Sequence, residues 1–251
     1  MKKSFGLLGL VLLFLTFPLA AQTIVVRADS WMPFDGDPQS SSPGFMVEVL
    51  KEIYKSENIT IDFQIMPWAR ALQECKEGRI DAVIGAYLDD VKGFVVPSKP
   101  FCDTYDSFFV LKGNKWRYTG VNSLKEITLG YVLDYTYNPD IDAYLAAAQN
   151  NPKVQGVGGD DPVAVNLRKL TAKRLDAVIE NEAVLKWKWA ELKLPGEIES
   201  AGNAAVAKGL YIAFTPKKAE SRKFAEMFDK GIAKLAASGR LAALKAKYKI
   251  K

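Results

Sequence analysis

Runs of β-branched and apolar residues alternate with helical-period stretches along almost the whole chain. Thr23–Ala28 (Thr-Ile-Val-Val-Arg-Ala) predicts a buried strand, and Asp29–Gly44, rich in Pro, Ser, Gly and Asp, a loop. Phe45–Ser56 places Met46, Val49, Leu50, Ile53 and Tyr54 at helical spacing, and Asn58–Ile65 predicts a second strand. Pro67 and Trp68 end that extended run; Ala69–Lys76 then reads as a short helix stopped by Gly78, and Ile80–Ile84 as a strand. The second half repeats the order. Strands are predicted at Ile127–Leu133, Lys153–Val157 and Leu175–Ile179, with helices at Ile141–Ala148 and Val163–Ala172 between them.

The repetition reaches the letters themselves. Arg79-Ile80-Asp81-Ala82-Val83-Ile84 returns 95 positions later as Arg174-Leu175-Asp176-Ala177-Val178-Ile179, each copy after a helix. A shared helix-to-strand unit predicts two similar lobes rather than one continuous sheet. Helices between strands predict right-handed crossovers and mostly parallel sheets flanked by helices, which bind ligands beyond the carboxyl ends of their strands. Those ends carry Asp29-Ser30-Trp31, Gly85-Ala86-Tyr87, Asp134-Tyr135-Thr136 and Glu180-Asn181. Two facing lobes with such loops make a cleft. Strands at Ser107–Leu111 and Leu210–Phe214 mark two hinge crossings, and helices at Ala219–Ala237 and Leu241–Tyr248 return to the first lobe. The expected division is lobe one at 22–102 plus 208–251, and lobe two at 106–204.

Residues 1–21 read as an export signal: Lys2 and Lys3, an apolar core from Leu7 to Phe17, then Leu19-Ala20-Ala21 before Gln22. The core falls short of the about 20 residues of a membrane span. A soluble periplasmic protein cleaved after Ala21 is expected. The formal charge is +5; removing Lys2 and Lys3 from 34 basic residues leaves 32 against 29 acidic ones, a balance of +3. These charges are interspersed, so nucleic acid is not an expected partner.

The chain has no histidine, which removes the commonest metal ligand and general base. No Gly-x-Ser-x-Gly, Gly-rich phosphate loop or Cys-x-x-Cys occurs. Neither a metal nor another cofactor is expected. Cys75 and Cys102 permit one disulfide in an exported protein, or two buried thiols.

Several motifs in order resemble the extracellular solute-binding proteins of family 3, the polar amino-acid type, across essentially the whole mature chain. They are Trp31-Met32-Pro33-Phe34, Gly44-Phe45-Met46-Val47-Glu48-Val49 and Gly78-Arg79-Ile80-Asp81-Ala82, with a degraded element at Pro97-Ser98-Lys99-Pro100-Phe101. Pro67-Trp68-Ala69-Arg70-Ala71 is similar to one subgroup. The resemblance implies a two-lobed, type II periplasmic-binding-protein-like α/β fold. It implies a monomer that closes over a small polar solute and delivers it to the permease of an ABC transporter. A ligand sensor for a membrane receptor, or a dehydratase-like enzyme on the same fold, is the alternative. By position, Trp31 and Trp68 would sandwich the solute, with Phe34 in the same motif. Gly85, Ala86 and Tyr87 would offer backbone, and Tyr135-Thr136 a helix N-terminus suited to an anion.

Two family residues are missing. No arginine stands in the segment Asp90–Gly93, where Val91 and Lys92 lie, and Asn181, beside Glu180, takes the place of an aspartate. Arg70 is the candidate replacement cation. The expected solute is therefore flat or partly apolar, neutral or singly negative, with Kd above about 100 μM for common polar amino acids.

Overall fold

The computed structural model describes residues 22–204 and 207–250. The export signal expected over 1–21 lies outside the described residues. Two five-stranded sheets carry the chain. In the first, β1 (Gln22–Ala28), β2 (Ile59–Ile65) and β3 (Ala82–Ala86) run parallel, and β4 is Cys102–Thr104. The second contains β5 (Asp106–Leu111), β6 (Leu129–Val132), β7 (Val154–Val157), β8 (Ala177–Asn181) and β9 (Ile198–Asn203). The remaining strand, β10 (Lys208–Phe214), returns to the first sheet. The strand orders, β2-β1-β3-β10-β4 and β7-β6-β8-β5-β9, are equivalent. In each sheet one strand runs against the rest, β10 in the first and β5 in the second, and each is the strand that has just crossed from the other lobe. This is the two-lobed α/β architecture expected from the alternating elements.

Helices α1 (Phe45–Lys55), α2 (Trp68–Lys76), α3 (Pro139–Ala147) and α4 (Pro162–Thr171) follow the expected periodicity within a few residues. The same holds for α6 (Ser221–Ala237) and α7 (Arg240–Lys247), which pack with α1 on the first lobe. Helix α5 (Glu182–Glu191), strands β4 and β9 and a 3-10 turn at Val121–Glu126 are elements the pattern did not announce. The α5 sequence, Glu-Ala-Val-Leu-Lys-Trp-Lys-Trp-Ala-Glu, lacks a polar face. Val184 and Leu185 enter the core, while Lys188 is buried between Asp161 (3.0 Å) and Glu191 (2.8 Å).

The repeated hexapeptide has a local mechanical reason. Asp81 accepts from Val25 N–H at 2.7 Å while its own N–H donates to Val25 C=O. Asp176 does the same with Thr128, at 2.7 Å and 2.8 Å. Each aspartate thus locks the start of its lobe's central strand beside its neighbour. Asp81 is buried and also meets Lys218, whereas Asp176 is exposed. Asp81→Ala is expected to cost about 1–3 kcal/mol and Asp176→Ala under about 1 kcal/mol, because only the buried change strands a donor away from water. Urea unfolding of both variants checks the order, and equal losses would refute it.

The cysteines follow the second of the two alternatives open in the sequence, two buried thiols. Cys75 and Cys102 are both free and buried. Cys75 packs on α2 with Val83 and Ala213, whereas Cys102 packs with Leu210, Ile212 and Phe214. Alternation along β10 puts those two sets on opposite faces of the first sheet, so the thiols cannot meet. Burial pushes both thiols up to about 12.

Candidate functional site

The loops at the carboxyl ends of β1, β3 and β6 and the start of β5 enclose one small cavity between the lobes. Its lining includes Trp31, Trp68, Gly85, Tyr87, Tyr135 and Thr136, six of the ten residues expected there. Asp29, Asp35, Asp90, Asp106, Ile84 and Tyr137 complete it. The free volume is about 20 Å³, room for roughly one water molecule, so the lobes are shut. A wider groove of about 870 Å³ opens alongside, between the Ser30–Ser42 loop and α5.

Local chain geometry sets the lobe-one wall. Phe45 and Met46 N–H, at the start of α1, donate to Pro33 and Phe34 C=O, which pins the loop to the helix. Gly44 makes this approach possible: its φ is 117°, and a Cβ there would stand 2.4 Å from Asp35 Cα. Asp35 is thereby held at the cavity with 1% of its surface exposed. Gly85 sits at φ +83°, a left-handed conformation that favours glycine, next to the Trp31 ring. Trp31 also packs on Phe34, ring centroids 4.9 Å apart.

Three aromatic side chains donate to carboxyl groups across the lobes. Trp31 Nε1–H donates to Glu180 Oε1 at 3.0 Å, and Tyr135 O–H to Asp29 Oδ2 at 2.6 Å. Tyr87 O–H reaches Asp106 Oδ1 at a longer 3.4 Å. In each case an aromatic side chain offers one donor to a buried carboxyl group.

Burial, the largest cause in every case, raises all of these acids. Asp29 is pushed up to about 6 against the opposing Tyr135 bond, and Asp90 to about 6 against Thr136 and the Tyr87 N–H. Asp106 reaches about 7 although Lys208 opposes the rise. Glu180, directly behind Trp31, reaches about 8, with the Asp106 charge adding to the burial. Asp35 is raised well above the usual range by burial and then by Asp29. Lys208 is the nearby cation: its Nζ donates to Tyr137 C=O at 2.6 Å and lies 5.3 Å from the Tyr87 ring centroid. Among the described residues, no lysine or arginine lines the cavity itself.

Four expected site residues lie elsewhere. Arg70 points away from the cavity, exposed, and pairs with Glu74 one helical turn on at 2.8 Å. Phe34 is fully buried behind Trp31, and Ala86 packs under the sheet with Val83 and Ala213. Asn181 caps α5, accepting from Ala183 and Val184 N–H, while its Nδ2 donates to Thr104 and so ties the helix to the first lobe crossing. The anion-ready helix N-terminus expected after Tyr135-Thr136 is also absent. Helix α3 starts at Pro139, and its free N–H groups are taken by Asn138 Oδ1. Asp140 and Asp142 add negative charge to its first turn. The acids missed in the sequence carried one weak signal, Asp29 and Glu180 at strand ends; Asp35 and Asp106 had none.

The family model for bacterial extracellular solute-binding proteins, family 3, matches residues 23–251, and the chain belongs to that family. A probable histidine-binding protein of Neisseria gonorrhoeae is 26% identical over 157 residues, which are 61% of this chain and 56% of that protein. The matched part thus spans little more than half of that relative's length. Among solved structures, a histidine kinase sensor domain similar to periplasmic binding proteins superimposes with a TM-score of 0.72 at 21% identity. That match covers 90% of this chain and 95% of the other. A mutant of ArgBP from T. maritima gives 0.72 at 19% identity, covering 91% and 95%. The family is one of solute-binding proteins. Among the described residues no helix is long and apolar enough to cross a membrane.

Proposed function

We propose that the protein is a periplasmic, monomeric solute-binding protein whose lobes, 22–102 plus 208–251 and 106–204, close over a small polar solute. It then presents that solute to the permease of an ABC transporter. The observation that carries this reading is the aromatic cavity at the lobe interface, closed by side-chain bonds that only exist when the lobes meet. Trp31, Trp68, Gly85, Tyr87, Tyr135 and Thr136 contact the solute. Phe34 and Asn181 act from behind, by holding Trp31 and the lobe crossing, while Ala86 belongs to the packing under the sheet. Arg70 has no part in binding, since its guanidinium is spent on Glu74 in solvent.

Family membership supports the solute-binding reading, and relatives named for histidine and for arginine support a nitrogen-rich solute. The likeness to a kinase sensor domain favours a second reading, in which the closed form signals to a receptor. Native mass spectrometry of the exported protein tests the first point: a small molecule is expected to leave on mild activation. A protein that carries nothing, and whose cleft binds nothing from a metabolite extract, would overturn it. Uptake of that solute by cells lacking the gene separates transport from sensing: transport predicts lost uptake, sensing unchanged uptake.

A further inference from the structure

We propose that the solute is a small organic cation that carries amine, guanidine or similar nitrogen donors and no carboxylate, in place of the neutral or singly negative solute expected from the sequence. This rests on the solute-binding reading and narrows it. Four carboxyl side chains line the cavity, Asp29, Asp35, Asp90 and Asp106, with Glu180 just behind. Asp35 is 1% exposed, and neither of its oxygens has a hydrogen-bond partner among the described residues. Glu180 Oε2 is likewise buried and unpaired. An ionised carboxylate is acceptor-only and holds about four acceptor positions, so the one or two donors on each of Asp29, Asp90, Asp106 and Glu180, and none on Asp35, leave most of them open. Buried acceptors of this kind cost free energy until a donor arrives.

The occupant must therefore bring donors and positive charge. Trp31, Trp68, Tyr87 and Tyr135 supply the aromatic faces that attract an organic cation once water is excluded. Nothing in the lining answers a carboxylate. Lys208, the nearest cation, is committed to Tyr137 C=O and lies beside Asp106. Among the described residues no group of His, Cys, Asp or Glu is placed to hold a metal ion, which favours an organic cation over an inorganic one.

Matched pairs that differ by the carboxylate isolate the claim. Isothermal titration of the full mature protein would compare histamine with histidine, agmatine with arginine, and putrescine with ornithine. At least one amine is expected to bind at least about tenfold more tightly than its amino acid, and Asp35→Asn to weaken that amine by a similar factor. Equal or tighter binding of the amino acids would overturn the cation inference while leaving the solute-binding reading intact, as would binding of calcium or magnesium instead. Failure of all three amines would also overturn it. Circular dichroism and thermal unfolding of Asp35→Asn separate a lost contact from a lost fold.

Discussion

At pH 5 the solute-free protein is expected to hold its cleft shut, and at pH 8.5 to open it. Opened to water, the cleft carboxyls return to their ordinary values near 4; shut, they stand at about 6 for Asp29 and Asp90, 7 for Asp106 and 8 for Glu180. Values raised by closure mean that the shut form binds more protons. Its advantage is complete below about pH 4 and is lost as pH rises through 6 to 8. For Glu180 alone the loss is on the order of 4–5 kcal/mol once ionised. Asp142 adds a further negative charge near Asp106, Asp161 one near Asp29, and Lys208 opposes both Asp90 and Asp106. Hinged lobes can relieve this strain by separating, without unfolding. Small-angle scattering should give a larger radius of gyration at pH 8.5 than at pH 5, and a Glu180→Gln, Asp106→Asn double variant should stay shut at both. An unchanged radius across that range in the unsubstituted protein would refute the idea. A bound cation reverses the trend, because it stabilises the ionised carboxylates and makes binding tighten as pH rises.

Trp31→Ala is expected to lower solute affinity at least about 100-fold and to cost about 3–5 kcal/mol of stability. One side chain holds three positions at once. It packs on Phe34, meets Tyr135 edge-on with centroids 6.3 Å apart, and crosses to Glu180 through its Nε1–H. Trp31→Phe separates these roles. It keeps most of the apolar contact but leaves Glu180 Oε1 with only the Asn181 N–H at 2.7 Å. A loss of about 1–3 kcal/mol in the closed form follows, roughly a tenfold drop in affinity, with little change in melting temperature. Titration calorimetry and thermal unfolding of both variants check the pair. If Trp31→Ala lost stability and kept its affinity, Trp31 would be wall and not contact.

Much of the candidate site was legible because loops at strand ends are local. Asp29-Ser30-Trp31 and Tyr135-Thr136 follow strands and Gly85-Ala86-Tyr87 ends one, and each strand's apolar run fixes its own end. Arg70 shows the limit of that logic. It neighbours Trp68 on the same short helix, yet the helical period carries it outward to Glu74 while Trp68 turns inward. Asn181 sits at the end of β8, but a strand end that starts a helix also needs a cap, and the cap claimed its side chain.

The acids mark where local reading stopped. Asp35 lies in a polar loop where aspartate usually faces water, and Asp106 begins a strand where nothing distinguishes it from a turn residue. The tertiary structure buries both at the cavity, and burial, not residue type, alters their chemistry.

By itself the sequence determined most of the element order, the two-lobe repeat and the ring of aromatic residues, since each depends on periodicity or on residues a few places apart; α5, β4 and β9 were not among its signals. The tertiary structure alone decided that the cysteines lie on opposite faces of one sheet and that Arg70 leaves the cleft. It also decided that four carboxyl groups line one cavity, with a fifth, Glu180, just behind it. Those outcomes depend on which faces two sheets present to each other, a relation between parts of the chain up to about 150 residues apart, for which no local pattern carries a signal.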